Sequence, residues 1–287
     1  MIKGLSLKTE RVFLALSELE FINDYILVGG TALSLQLQTR LSEDLDFMKW
    51  KRTKNERTEL PWNVIEHHLA CLDLGKVKTD ILDFNQVLFE IAGVKLSFYF
   101  RDSYPPEGIK AIPFMGSIKI ADVFSIGVMK IDAMLRRSAF RDYYDLYSIL
   151  KDGADLGQLI DKASKYSGHT TKTRTIISMI SNGSRFFADD RFNALKPVYN
   201  ISGEEIEDFI KKETEKKKEN IFTEREIPVE DFSKLGLVFS DISQEDKQLL
   251  LKGEIANTPP FRISLKRNPD NSVSIICHSK TNTNKIN

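Results

Sequence analysis

Cysteine is almost absent from this chain of 287 residues: Cys71 and Cys277 stand far apart, with no CxxC spacing. That excludes a disulfide framework, and with only four histidines in all it argues against a zinc site. A reducing cytoplasm is the expected compartment. Long apolar runs are missing as well. None approaches the roughly 20 residues that span a bilayer, and Met1-Ile2-Lys3-Gly4-Leu5 lacks the apolar stretch of a signal peptide. The expectation is a soluble chain with no membrane partner. Net charge is also missing, because 41 lysines and arginines balance 41 aspartates and glutamates. No global field draws the chain to nucleic acid, so any RNA or DNA contact needs a local basic patch.

What is present begins with Tyr25-Ile26-Leu27-Val28, an apolar run that reads as a short buried strand and breaks at Gly29-Gly30-Thr31. Ala32 to Leu37 reads as a helix and Leu45-Asp46-Phe47-Met48 as a second strand. Two glycines remove Cβ bulk where a phosphate approaches backbone N–H groups, and a helix N-terminus favours an anion. Thr31 reads either as a helix cap or as a phosphate contact, and Ser42 as a possible phosphate donor. On a strand, Asp44 and Asp46 share a face, because side chains alternate with period two. Two hard oxygen ligands side by side suit Mg²⁺, which takes carboxylates together with substrate phosphates. Glu43 points away from that pair and reads as a surface acid.

Gly29-Gly30-Thr31-Ala32-Leu33 with Leu41-Ser42-Glu43-Asp44-Leu45-Asp46-Phe47 resembles the signature of the AbiEii/AbiGii toxin family of DNA polymerase β-like nucleotidyltransferases. A second block agrees: Lys130-Ile131-Asp132-Ala133-Met134-Leu135-Arg136-Arg137, followed by Arg141-Asp142-Tyr143-Tyr144-Asp145-Leu146-Tyr147, resembles that family's helical motif. The likeness covers residues 10 to 150, fades to about 220 and is absent beyond. It implies transfer of a nucleoside monophosphate from an NTP, with GTP or CTP as donor, to an acceptor hydroxyl such as a tRNA 3′ end. It also implies Mg²⁺ and a cognate antitoxin. Asp44 and Asp46 become the metal ligands, Gly29, Gly30, Thr31 and Ser42 the phosphate side, and Lys130 and Arg137 nucleotide contacts. Asp145 either holds the nucleotide or orients Lys130.

One position departs from the pattern. Polymerase β-like enzymes take a third carboxylate from a later strand, and that spacing falls here on Lys95-Leu96-Ser97. Serine cannot replace a carboxylate as a metal ligand or proton acceptor at neutral pH. Either Asp83 or Glu90 supplies the group, or the site is weakened. Ser97 thus favours a competing reading, a non-catalytic nucleotide- or partner-binding module, which the Asp44/Asp46 pair and Lys130 disfavour.

The expected architecture is α+β: a polymerase β-like core of about five mixed strands over residues 1–118, a helical domain over 119–220, and a small accessory extension over 221–287. Helices are predicted over 8–20 and 55–70, strands over Val77–Phe84, Gln86–Ala92 and Val94–Phe100 with a tight turn at Gly93, and helices from Ala121 to Leu150 broken near Ser138-Ala139-Phe140. In the tail, Gln244–Leu251 reads as a helix, Phe261–Leu265 with Val273–Cys277 as a hairpin, and Thr281–Asn287 as disordered. One of Arg136, Arg137 and Arg141 is expected to pair with Asp142 or Asp145. Tyr143, Tyr144 and Tyr147 have the spacing of core aromatics, with base stacking as the alternative. Lys162, Lys165, Lys172, Arg174, Arg185 and Lys196 are candidates for an RNA groove, and equally for an ordinary charged surface.

Overall fold

Val12, Phe13 and Leu16 fall at helical spacing and are buried along α1 (Leu7–Ser17), whose first turn is capped by Ser6 accepting from the Thr9 N–H. The chain then forms β1 (Ile26–Val28), α2 (Gly29–Leu37), β2 (Leu45–Trp50) and α3 (Trp62–Ala70). Next come β3 (Lys78–Asp83), β4 (Gln86–Ile91) and β5 (Val94–Arg101). The β4–β5 turn holds Ala92 and Gly93 at φ 52 and 72, the left-handed geometry that matches strand twist in a two-residue hairpin. After them run β6 (Ala111–Met115), β7 (Ile118–Ala121), α4 (Val123–Arg136), α5 (Phe140–Lys151), α6 (Leu156–Tyr166), α7 (Thr173–Ile180), α8 (Asp190–Asn193) and α9 (Gly203–Phe222). The break between α4 and α5 lies where the sequence puts it, with Arg137 and Ala139 both extended.

The structure, a computed structural model, describes residues 2–106, 108–166, 171–188, 190–222, 225–228, 243–251, 256–258, 261–267 and 273–278. The chain divides into two compact units, 1–211 and 212–287. In the first, one seven-stranded mixed sheet runs in the order β3-β4-β5-β2-β1-β7-β6. β1 lies parallel to β7 and β2 parallel to β5, and the other pairs are antiparallel. Seven strands correct the expected five. The additions are β6 and β7, which sequence patterning passes over because Pro113 sits inside β6 and nearly all of β6 is exposed. An edge strand tolerates proline, and β6 is one edge of the sheet. One hydrophobic core reaches from Leu5 to Ile210, across the division drawn at 118/119.

The second unit contains β8 (Arg225–Pro228), α10 (Gln244–Leu251), β9 (Ala256–Thr258), β10 (Phe261–Arg267) and β11 (Val273–His278). Its four strands form an antiparallel sheet in the order β8-β11-β10-β9. β10 and β11 pair as the expected hairpin, from Arg262 opposite His278 to Arg267 opposite Val273. The segment Thr281–Asn287 lies outside the described residues. Because the first unit's core closes on residues up to Ile210, a chain ending at Phe222 should keep a single cooperative thermal transition. Calorimetry checks this, and loss of the transition would show that the tail completes the core.

Candidate active site

β1 delivers the chain to Gly29, which has φ +69, and α2 starts there rather than at Ala32. Beside it, Asp46 is the second residue of β2, opposite Val28 on β1 and opposite Ser97 on β5. The two glycines meet different demands. A Cβ on Gly29 would come within 2.9 Å of Asp46 Oδ2, and a Cβ on Gly30 within 2.3 Å of Arg40 Nη2. Gly29 therefore lets a carboxylate lie against the start of α2, and Gly30 makes room for a guanidinium.

Thr31 and Ser42 are both buried. Thr31 Oγ1 donates to the Asp44 carbonyl, so the 2.7 Å contact between the two hydroxyls has Ser42 as donor. Together they tie the loop before β2 onto α2. Val28 is the helix cap residue, and no side chain caps α2. Asp44 lies one residue ahead of β2, about half exposed, with Arg141 Nη1 3.6 Å from its Oδ2.

Asp46 accepts a 2.6 Å hydrogen bond from Ser97 Oγ on Oδ1. Burial pushes its carboxyl above the usual aspartate value; the Ser97 hydrogen bond opposes that shift and the nearby charge of Asp44 adds to it. Neither candidate for a third carboxylate reaches this point. Asp83 lies on the edge strand β3, three places from β2, and Glu90 is paired with Lys78 at 2.9 Å. Among the described residues, no three histidines, cysteines, aspartates or glutamates are grouped to hold a metal.

Behind the pair lies a buried ion network that joins three parts of the chain. Lys130 on α4 donates to Asp142 Oδ1 at 2.7 Å and reaches Asp145 Oδ2 at 2.6 Å, both on α5. Arg40, from the loop after α2, grips Asp145 through Nε at 2.7 Å and Nη2 at 2.8 Å. Arg137 bonds Asp142 through Nε at 2.6 Å and Nη2 at 3.0 Å. Arg136 pairs with Asp132 and Arg141 with Asp44, so Arg137 is the arginine of the run that pairs with α5. Burial would raise both carboxyls, but Lys130 and Arg137 outweigh it at Asp142, and Arg40 and Lys130 do so at Asp145; both are held below the usual range. Burial likewise opposes the charge on Lys130, yet Asp142 and Asp145 hold it above the ordinary lysine value. Two of its three N–H groups are thereby committed to Asp142 and Asp145.

The sign of these shifts gives a pH test. A depressed native carboxyl stabilises the fold above its unfolded value, and that stability is lost as pH falls toward the native one. The difference in Tm between wild type and Asp142→Asn should thus stay constant from about pH 7 to about pH 5 and narrow below about pH 4. A difference that stays constant down to about pH 2 would show that Asp142 is not charge-paired in the fold.

Sequence reasoning missed Arg40. Its signal was faint: two acids on one helix turn, Asp142 and Asp145, need more cationic partners than their own helix pair provides. Tyr143, Tyr144 and Tyr147 are buried core residues. The Tyr144 hydroxyl donates to the Thr39 carbonyl at 2.8 Å, so consecutive residues of α5, Tyr144 and Asp145, clamp the 39–40 loop.

An open cleft of about 510 Å³ borders Asp44. Five cations line it: the exposed Lys8, Lys95, Arg141 and Arg191, and the buried Arg40 held by Asp145, together with the exposed Phe187. None of the six basic residues proposed for a groove from the sequence is among its lining residues.

Residues 11–234 match the family model described as nucleotidyl transferase AbiEii toxin, type IV toxin–antitoxin system. An uncharacterized protein of Aquifex aeolicus (strain VF5), aq_aa25, is 30% identical over 207 residues, 69% of this chain and 90% of that protein. The chain belongs to the AbiEii toxin family. It is accordingly a nucleotidyltransferase, and the non-catalytic alternative that Ser97 left open gives way. The family match runs past the point near 220 where the sequence likeness faded. Two solved structures are similar at lower identity. JHP933 from Helicobacter pylori is 19% identical with a TM-score of 0.45, covering 75% of this chain and 95% of that one. MenT4, a nucleotidyltransferase toxin from Mycobacterium tuberculosis H37Rv, is 15% identical with a TM-score of 0.46, covering 72% and 84%. Among the described residues, no helix is long and apolar enough to cross a membrane.

Proposed function

We propose that this AbiEii-type enzyme transfers a nucleoside monophosphate from an NTP to a hydroxyl of an RNA acceptor, using Mg²⁺ held by Asp44 and Asp46, and that a cognate antitoxin restrains it. The observation that carries the acceptor is the cleft beside Asp44, whose four exposed cations suit a phosphate backbone in a chain with no net charge to supply a general field. Lys8, Lys95 and Arg191 are exposed, so phosphates can reach them from solvent.

The donor set fits Mg²⁺. Asp46 keeps a raised carboxyl because its buried charge is under-compensated, and a divalent cation relieves that while the half-exposed Asp44 completes the pair. When bound, the ion screens triphosphate charge and polarises the phosphoryl oxygens. The first N–H groups of α2 have no intrahelical partners and bind phosphate oxygens. Lys130, kept protonated by two aspartates, and Arg137 stabilise the charge that develops on the departing pyrophosphate.

The test supplies each labelled NTP in turn with Mg²⁺ and total cellular RNA, and reads the label on a gel. Label in an RNA band with one preferred NTP supports the proposal; label that enters only small acceptors overturns the RNA assignment. In the same assay, Lys8→Ala with Lys95→Ala should weaken RNA binding and flatten its log–log salt slope by about 1.4, at about 0.7 per single-strand phosphate contact. An unchanged slope would remove the cleft as the acceptor track.

A further inference from the structure

We infer that this site holds one divalent cation, delivered with the nucleotide, and that Ser97 occupies the place from which a second cation would need a carboxylate. The inference rests on the reading of Asp44 and Asp46 as metal ligands and narrows it to a number.

The sheet register carries the argument. Asp46 has Val28 on one side and Ser97 on the other. Beyond Ser97 the row continues to Leu88 on β4 and Asp80 on β3. Strands lie about 4.8 Å apart, so that row brings no carboxylate closer to Asp46 than roughly 14 Å. Glu90 stands one pleat away, opposite Lys95 and bonded to Lys78. No strand beside β2 therefore offers a third acid.

The helices do not supply one either. Asp142 is bonded by Lys130 and Arg137, and Asp145 by Arg40 and Lys130. Turning either toward a metal would strip the buried Lys130 of a partner, and turning Asp145 would strip the buried Arg40 as well. Paired ions 3.5–4 Å apart need carboxylate oxygens shared between them. Asp46 has little to share. Its Oδ1 accepts from Ser97 at 2.6 Å, and its Oδ2 lies against Gly29 at the start of α2, the side on which the triphosphate is proposed to bind. Ser97 is a positioning residue that fixes the rotation of Asp46, so that the carboxylate serves the ion travelling with the nucleotide.

Electron paramagnetic resonance of Mn²⁺ decides the number. The full chain is mixed with an equimolar α,β-methylene analogue, of CTP and then of GTP, and titrated with Mn²⁺. Wild type should show the signal of an isolated ion, Ser97→Ala should show the same signal, and Ser97→Asp should show the coupled signal of two neighbouring ions. A coupled pair in wild type overturns the inference, and the wild-type spectrum decides the matter even if Ser97→Asp does not fold. Calorimetry separates this from the underlying reading. If the analogue binds equally well in EDTA and in Mg²⁺, Asp44 and Asp46 do not bridge a metal and both statements fall. If binding needs Mg²⁺ and the spectrum is coupled, only the single-ion inference falls.

Discussion

Asp46→Asn should lose nucleotide transfer by at least a hundredfold while melting at the same temperature as wild type or above it. The substitution keeps an acceptor for the Ser97 hydroxyl, so the β2–β5 contact survives, but it removes the negative charge that a cation needs. Loss of one group that stabilises transition-state charge costs about 3–4 kcal/mol, or roughly a hundredfold to a thousandfold in rate. The stability half follows from the direction of the pKa shift. Burial holds the Asp46 carboxyl above its unfolded value, so the charge opposes folding, and stability is lost as pH rises through the native value. An uncharged asparagine escapes that loss at neutral pH, and its advantage should fade below about pH 4, where the unfolded aspartate is protonated too. Labelled-RNA gels and thermal melts at two pH values read both halves. Transfer within tenfold of wild type would remove Asp46 from the metal site.

What the sequence made legible was local. The strand, turn and helix around Gly29-Gly30 lie within a dozen residues, and so do the Asp44/Asp46 pair and the break between α4 and α5. Period and turn chemistry carry such features because the residues that set them are neighbours in the chain. Reasons set by distant partners were not legible. Gly30 reads as a phosphate turn in the sequence, but that it must also leave room for Arg40 is seen only in the fold, and Arg40 itself is explained by Asp145, 105 positions away. Ser97 reads as the loss of a carboxylate, whereas its hydroxyl holds Asp46 from the neighbouring strand. Ser97→Ala should therefore leave a looser Asp46. β6 escaped notice because proline inside a strand is tolerated only at an edge, and which strand forms the edge is a property of the whole sheet.

The largest stability effect should come from the buried network. Arg40→Met leaves Asp145 with Lys130 alone, and Asp145→Leu leaves the Arg40 guanidinium unpaired at a site where both side chains are almost fully covered. Breaking a buried pair from one side costs about 3–5 kcal/mol, because the orphaned charge remains desolvated. At roughly 2–4 °C per kcal/mol for a domain of about 200 residues, each single variant should melt roughly 6–20 °C lower. The double variant removes both charges at once and places apolar groups in their room, so it should recover most of that stability. Activity should not recover with it. Lys130 would still be paired to Asp142, but it would have lost the aspartate that fixes its second N–H, and the 39–40 loop would be held to α5 only by Tyr144. Folding and transfer then separate in one double-mutant cycle: coupling of about 2 kcal/mol or more in stability, with transfer depressed in all three variants. Additive stability losses would show that Arg40 and Asp145 act independently. Wild-type transfer in the double variant would show that the network serves folding alone, and that Lys130 needs no second partner to meet the nucleotide.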